Sequence, residues 1–96
     1  MDLGLFEWDD YKEKINIHKH KIDFRTAVKV FKDEDRVILF DEKHSLDEDR
    51  FLIIGSIDGK ITVLTVVYTE RNDLIRIISA RKANNEERRV YYDSCS

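Results

Sequence analysis

The rhythm of apolar and polar residues changes once along the chain, near residue 33. Before that point the repeat is helical. Trp8, Tyr11 and Ile15 fall at helical spacing with Ile22 beyond, and Lys12, Lys14, Lys19 and Lys21 occupy much of the remaining surface. Asp9-Asp10 can cap the first turn, since a carboxylate there accepts from free N–H groups and complements the positive helix end. Asp23 offers the same service to a second helix. Its Phe24, Ala27, Val28 and Phe31 stand at i, i+3, i+4 and i+7, the cleanest amphipathic stripe in the chain.

After Asp33-Glu34-Asp35 the pattern becomes strand-like. Val37–Asp41, Phe51–Ile57, Lys60–Tyr68 and Leu74–Ala80 read as strands, and Asp58-Gly59 and Asn72-Asp73 as hairpin turns. Val63-Leu64-Thr65-Val66-Val67 is apolar on both faces, as a central strand should be. Asn84 or Asn85 caps a last helix, with Glu87 in its first turn and Val90 and Tyr91 as its apolar side. The expected order is a short N-terminal strand, two helices, a four-stranded antiparallel meander and a C-terminal helix. Helices and strands are segregated, so the class is α+β, in one domain over residues 1–96 with Ser94-Cys95-Ser96 frayed.

Composition adds limits. With 96 residues there is room for one core. No apolar run is long enough to span a bilayer. Met1-Asp2-Leu3-Gly4-Leu5 lacks the basic and then apolar segments of a secretory signal. Cys95 is the only cysteine, so no intramolecular disulfide is expected, which suits a reducing, cytoplasmic setting. The formal net charge of −3 is unevenly placed: residues 33–49 carry −6 and the rest +3. A segregated field of this kind can steer an anionic ligand; a solvated acidic loop is the plainer alternative.

No phosphate-binding glycine loop, Cys-x-x-Cys or His-Glu-x-x-His motif occurs. His18 and His20 are two apart and point to different helix faces. Neither a metal nor another cofactor is expected. What stands out is arginine in costly positions. Arg50 begins an apolar strand, Arg76 interrupts Leu74-Ile75-Ile77-Ile78, and Arg81 closes the same strand. If Asn72-Asp73 is a two-residue turn, Arg71, Thr69 and Arg76 share one sheet face. Tyr68 and Glu70 share the other with Ile75 and Ile77. Guanidinium forks on a rigid sheet suit phosphate, although arginine is also an ordinary resident of a solvated face. His20, within Lys19-His20-Lys21, could move a proton near neutral pH or simply complement a helix end. His44 lies in the acidic loop.

Three blocks of residues resemble one known family. The first is Phe6-Glu7-Trp8-Asp9, Lys12, Asn16, Lys19-His20, Phe24, Ala27 and Val30-Phe31. The second is Asp41, His44-Ser45, Asp49-Arg50-Phe51 and Ile54-Gly55. The third is Thr69-Glu70-Arg71, Ile75-Arg76-Ile77-Ile78-Ser79-Ala80-Arg81-Lys82-Ala83, Glu87-Arg88 and Tyr91. Together they resemble the BrnT toxins of bacterial type II toxin-antitoxin systems. Two departures are visible: Lys21 stands where the family usually has Gly, and Asp49 where it often has Glu.

The resemblance implies a RelE-like fold, a ribonuclease activity and a partner antitoxin of the BrnA type. That antitoxin carries a ribbon-helix-helix domain, through which alone the complex would touch operator DNA. On this reading RNA is cut without metal, by attack of a 2′-hydroxyl on the neighbouring phosphate. Arg50, Arg76 and Arg81 would stabilise phosphate charge and His20 would move a proton. Lys19, Arg71 and His44 would contact RNA, with Glu70 and Tyr91 in support. A binding module without catalysis, or a corepressor subunit of a DNA-binding complex, is the alternative.

Overall fold

The structure, a computed structural model, describes residues 5–59 and 61–95. A two-residue strand β1 (Phe6–Glu7) leads into helices α1 (Asp10–His20) and α2 (Phe24–Val28), and α2 tightens into a 3-10 turn over Lys29–Lys32. Strands β2 (Val37–Phe40), β3 (Arg50–Ser56), β4 (Val63–Arg71) and β5 (Leu74–Lys82) follow. A 3-10 turn at Glu42–His44 precedes β3, and helix α3 (Asn85–Ser94) follows β5. The α+β class holds. Strands β2 to β5 pair antiparallel in sequence order, but the sheet as a whole is mixed, because β1 is a full member of it. It lies parallel to β5, with Phe6 opposite Ile75 and Glu7 opposite Arg76. The five strands run in the order β1-β5-β4-β3-β2, a mixed sheet with β4 at its centre.

Helix α2 behaves as its pattern requires: Phe24, Ala27, Val28 and Phe31 are all buried. Three residues per turn in the 3-10 segment swing Val30 beside Ala27, so it is buried too. This segment presses on β3 at Gly55. A Cβ there would lie 3.0 Å from the Val30 carbonyl oxygen, so the close approach depends on glycine. The main core lies between these helices and one sheet face, and includes Phe6, Ile53, Leu64, Val66, Tyr68, Ile77 and Ala80.

Helix α1 departs from the expected stripe. Asp9 caps it, accepting from the N–H groups of Tyr11 and Lys12. Yet Tyr11 is 71% and Ile15 49% exposed, and the one buried residue is Asn16. The reason lies in β5. Strand β1 covers its outer edge only at Ile75 and Arg76, so the edge beyond is open. Asn16 closes it. Its amide donates to the Ala80 and Ile22 carbonyls, each at 2.9 Å, and accepts from the Ala80 N–H at 3.0 Å. One side chain thus does the work of a missing strand. The helix ends with Lys21 in the left-handed region, φ 63°, where glycine would be least strained.

Boundaries shift elsewhere. The first long hairpin closes through Ile57 N–H to Thr62 O and Ile61 N–H to Asp58 O, so the return strand starts at Val63, and Lys60 lies outside the described residues. Asn72 and Asp73 both have positive φ, as a two-residue turn demands. Asn84 caps α3, and Glu87 completes a capping box. On α3 Tyr91 is buried but Val90 is 39% exposed. Tyr91 packs with Ile54 and Val63 on the sheet face away from α1 and α2. The tail is also tied down: the Ser94 hydroxyl donates to Tyr91 O, and Cys95 packs beside the same cluster. Ser96 and Met1–Gly4, on which the signal reading partly rested, lie outside the described residues. Among the described residues no helix is long and apolar enough to cross a membrane.

Candidate functional site

Strict alternation along β5 would put Arg76 and Arg81 on opposite faces, since five residues separate them. The register shows otherwise. Tyr68 faces Ile77 and Val67 faces Ser79, so Ile78 is an extra, unpaired residue. This bulge resets the alternation. Ile77 and Ala80, three apart, both enter the core, and Arg76, Ser79 and Arg81 all emerge on the other face.

Cross-strand partners arrange that face in rows. One row is Glu7, Arg76, Thr69 and Arg50; the next is Ser79, Val67, Leu52 and Leu39; the third is Arg81, Thr65, Ile54 and Val37. Helix α3 covers part of the third row. The second row stays open and floors a cleft of about 330 Å³. Arg50 and Arg81 stand on its two sides, with Asp41 and His44 completing the wall near β2. A neighbouring concavity of about 400 Å³ lies between α1 and the β5 edge, lined by Lys12, Ile15, Asn16, Lys19 and His20. The two share Ile78, Ser79 and Arg81.

The arginines differ in their partners. Arg81 is held on both terminal nitrogens by Glu87 of α3, at 2.6 and 2.8 Å. Thr65 donates to the same carboxylate. The bond to Arg81 pulls the Glu87 pKa below the usual glutamate value against the effect of burial, and in return raises that of Arg81. Arg76 meets Glu7 at 3.4 Å, and Arg71 forms a two-pronged pair with Glu48. Arg50 has no ion pair among the described residues and lines the cleft; its charge also reaches Glu48, whose carboxyl pKa is lowered first by its bond to Arg71.

Residues 41–50 form a pinned loop. The Asp41 N–H donates to Arg50 O, the Arg50 N–H to the Ser45 hydroxyl, and that hydroxyl to Asp41 O. This closed ring sets His44 against Asp41, with Nδ1 2.9 Å from the carboxylate.

The structure therefore gathers Arg50, Arg81 and His44 in one cleft and Lys19, His20 and Arg81 in the next. Arg76 and Arg71 share the face but line neither. Glu70 lies on the opposite face, and the acids beside the arginines are Glu7, Glu48 and Glu87 instead. Tyr91 is buried beneath α3, where its hydroxyl donates to Asp33, which also accepts from the N–H and hydroxyl of Ser56. Burial works to raise the Asp33 pKa, but these donors outweigh it and the net shift is downward. The acidic stretch is thus no uniform solvated loop: Asp33, Asp41 and Glu48 each have a fixed partner. Sequence reasoning missed the roles of Glu87 and Asp41. The three-residue step from Asp41 to His44 was a usable local signal, whereas nothing local pairs Arg81 with Glu87. Among the described residues no group of three or more His, Cys, Asp or Glu is placed to hold a metal ion.

A family model described as "Ribonuclease toxin, BrnT, of type II toxin-antitoxin system" matches residues 8–87. No match is found among curated proteins.

Proposed function

Because the chain belongs to the BrnT family of ribonuclease toxins, we propose that it cuts RNA without a metal ion, at the cleft between Arg50 and Arg81. The observation that carries this reading is the cleft itself: an unpaired arginine on one side, a rigidly held one on the other and an apolar floor between them. A phosphate seated there would have a guanidinium on each side, Arg81 held in place by Glu87 and Arg50 open to the ligand, which suits charge growing on phosphorus.

The reaction is transesterification. The 2′-oxygen bonds to the adjacent phosphorus, the bond to the 5′-oxygen breaks, and one proton leaves the 2′-hydroxyl as another reaches the 5′-oxygen. His20, beside Lys19 and on the α1 side of Arg81, serves proton transfer. Arg76 and Arg71 extend the cationic face along the RNA backbone, and Glu87 fixes the Arg81 fork. A BrnA-type ribbon-helix-helix antitoxin in the cytoplasm would neutralise the enzyme and carry any contact with operator DNA. The fold belonging to this reading is RelE-like.

The test is incubation of the purified protein with RNA in excess EDTA. Fragments ending in 2′,3′-cyclic phosphate and beginning with 5′-hydroxyl support the reading. Absence of cleavage, or cleavage that returns only with magnesium or manganese, overturns it. Binding without cleavage would mark a binding module instead.

A further inference from the structure

We propose that His44, oriented by Asp41, is the general base that takes the 2′-hydroxyl proton, facing His20 across Arg81. The inference rests on the ribonuclease reading above and adds to it a residue and a direction of proton flow.

Three observations support it. The first is the dyad. An ionised carboxylate can only accept, so with Asp41 2.9 Å from Nδ1 the hydrogen of a neutral imidazole sits on Nδ1. The Nε2 lone pair is then bare and available. The carboxylate also holds the ring in that orientation. The side-chain exposures agree with these roles: Asp41 is 16% exposed, an anchor, and His44 is 65% exposed, open to a ligand.

The second is that the dyad is built in. The ring of bonds through Asp41, Ser45 and Arg50 fixes the loop to the first residue of β3. The Thr69 hydroxyl, donating to Asp49 O at 2.6 Å, ties the same loop to β4. The base and the backbone that carries the unpaired arginine therefore keep one relative placement, and proton transfer in a transition state requires a base so placed.

The third is the position of the two histidines. His44 lines the cleft with Arg50, His20 lines the neighbouring concavity, and both concavities share Ser79 and Arg81. An in-line displacement at phosphorus puts entering and leaving oxygens on opposite sides, so it needs a base on one side and an acid on the other. His44 and His20 line the two concavities that meet at Arg81, so a phosphate held there would have one imidazole in each. His44 accepts the 2′-hydroxyl proton as the 2′-oxygen bonds to phosphorus. His20 gives its proton to the 5′-oxygen as that bond breaks, and the two histidines then exchange protons with water. The charged groups around His44 are Asp41, Lys43, Asp47, Glu48, Arg50 and Arg81.

The experiment compares wild type, His44→Gln, Asp41→Asn and His20→Gln on a short RNA, beside a second substrate whose scissile 5′-oxygen is replaced by sulfur. Sulfur leaves without a proton, so it bypasses the acid but not the base. His44→Gln is expected to lower kcat by about 10²–10⁴-fold on both substrates. Its affinity for an uncleavable 2′-deoxy analogue should stay within about twofold, as expected if the residue moves a proton rather than holds RNA. Asp41→Asn should lower kcat by less at unchanged KM, because it positions the base. His20→Gln should be slow on the oxygen substrate and recover on the sulfur one. Three results would overturn the proposal: His44→Gln active within about threefold of wild type, a loss confined to RNA affinity, or recovery of His44→Gln on the sulfur substrate. If wild type cuts neither substrate, the ribonuclease reading falls as well. If wild type cuts and His44→Gln cuts equally well, only the assignment of the base falls.

Discussion

Replacing Asn16 by alanine should be among the most damaging single changes outside the apolar core. The side chain makes three bonds, two donated at 2.9 Å and one accepted at 3.0 Å, all to backbone atoms of Ile22 and Ala80. A buried donor or acceptor left without a partner costs about 1–3 kcal/mol. Three such groups would total several kcal/mol, and water entering from the strand edge would return part of it. The expected loss is about 3 kcal/mol, which for a domain of this length lowers Tm by roughly 12–24 °C. Urea unfolding measures the loss, and amide exchange localises it, since the Ala80 N–H should lose protection first. Asn16→Leu separates the causes. It restores apolar volume without the bonds and should be nearly as unstable as alanine. Asn16→Asp keeps the acceptor but sets a carboxylate against two carbonyl oxygens, so at neutral pH it should do no better. A loss under about 1 kcal/mol for alanine, or a leucine variant as stable as wild type, would refute the claim that α1 is held by hydrogen bonds.

Four further outcomes follow from the site and the core. Arg50→Ala should lower cleavage about 10²–10³-fold with little change in Tm, as removal of a charge donor with no side-chain partner predicts; Arg81→Lys, which keeps a cation beside Glu87 but cannot bond it with two prongs, should melt lower and cleave far more slowly than wild type, and a wild-type cleavage rate would count against the fork. Glu87 and Asp33 have depressed folded-state pKa values, so the stability they add is present above the ordinary values of 4.5 and 3.8 and is lost as pH falls through the lowered ones; urea titrations between about pH 2 and 6 should show Glu87→Gln with a shallower acid decline. Gly55→Ala should destabilise by about 1–3 kcal/mol, because its Cβ would meet the Val30 backbone rather than a movable side chain; unchanged urea midpoints would count against that close approach.

Much of the fold was legible because its signals are local. The α2 stripe, the two-sided apolar run of β4 and the Asn72-Asp73 turn each need only a few neighbouring residues to declare themselves, and all three appear in the structure. The α1 stripe misled for a physical reason. Tyr11 and Ile15 have helical spacing but no surface to cover, because the helix meets an open strand edge whose needs are polar. The arginine face was legible as far as Arg71, Thr69 and Arg76, which the turn fixes in register. Beyond that point the phase depends on a bulge whose only trace is one extra residue. Ion-pair partners such as Glu87 for Arg81 lie between elements, where spacing along the chain carries little information.

The unpaired Ile78 gives β5 one residue of slack. Ile77 and Ser79 already pair with adjacent residues of β4, so the ladder on either side of Ile78 is continuous without it. Removing Ile78 would close the bulge and leave Ser79 and Arg81 over the cleft and Ala80 in the apolar layer. A second residue lost from the same stretch would find no slack to absorb it and would invert the facing of all that follow. Natural variation in this segment should therefore accept a chain shorter by one residue far more readily than one shorter by two.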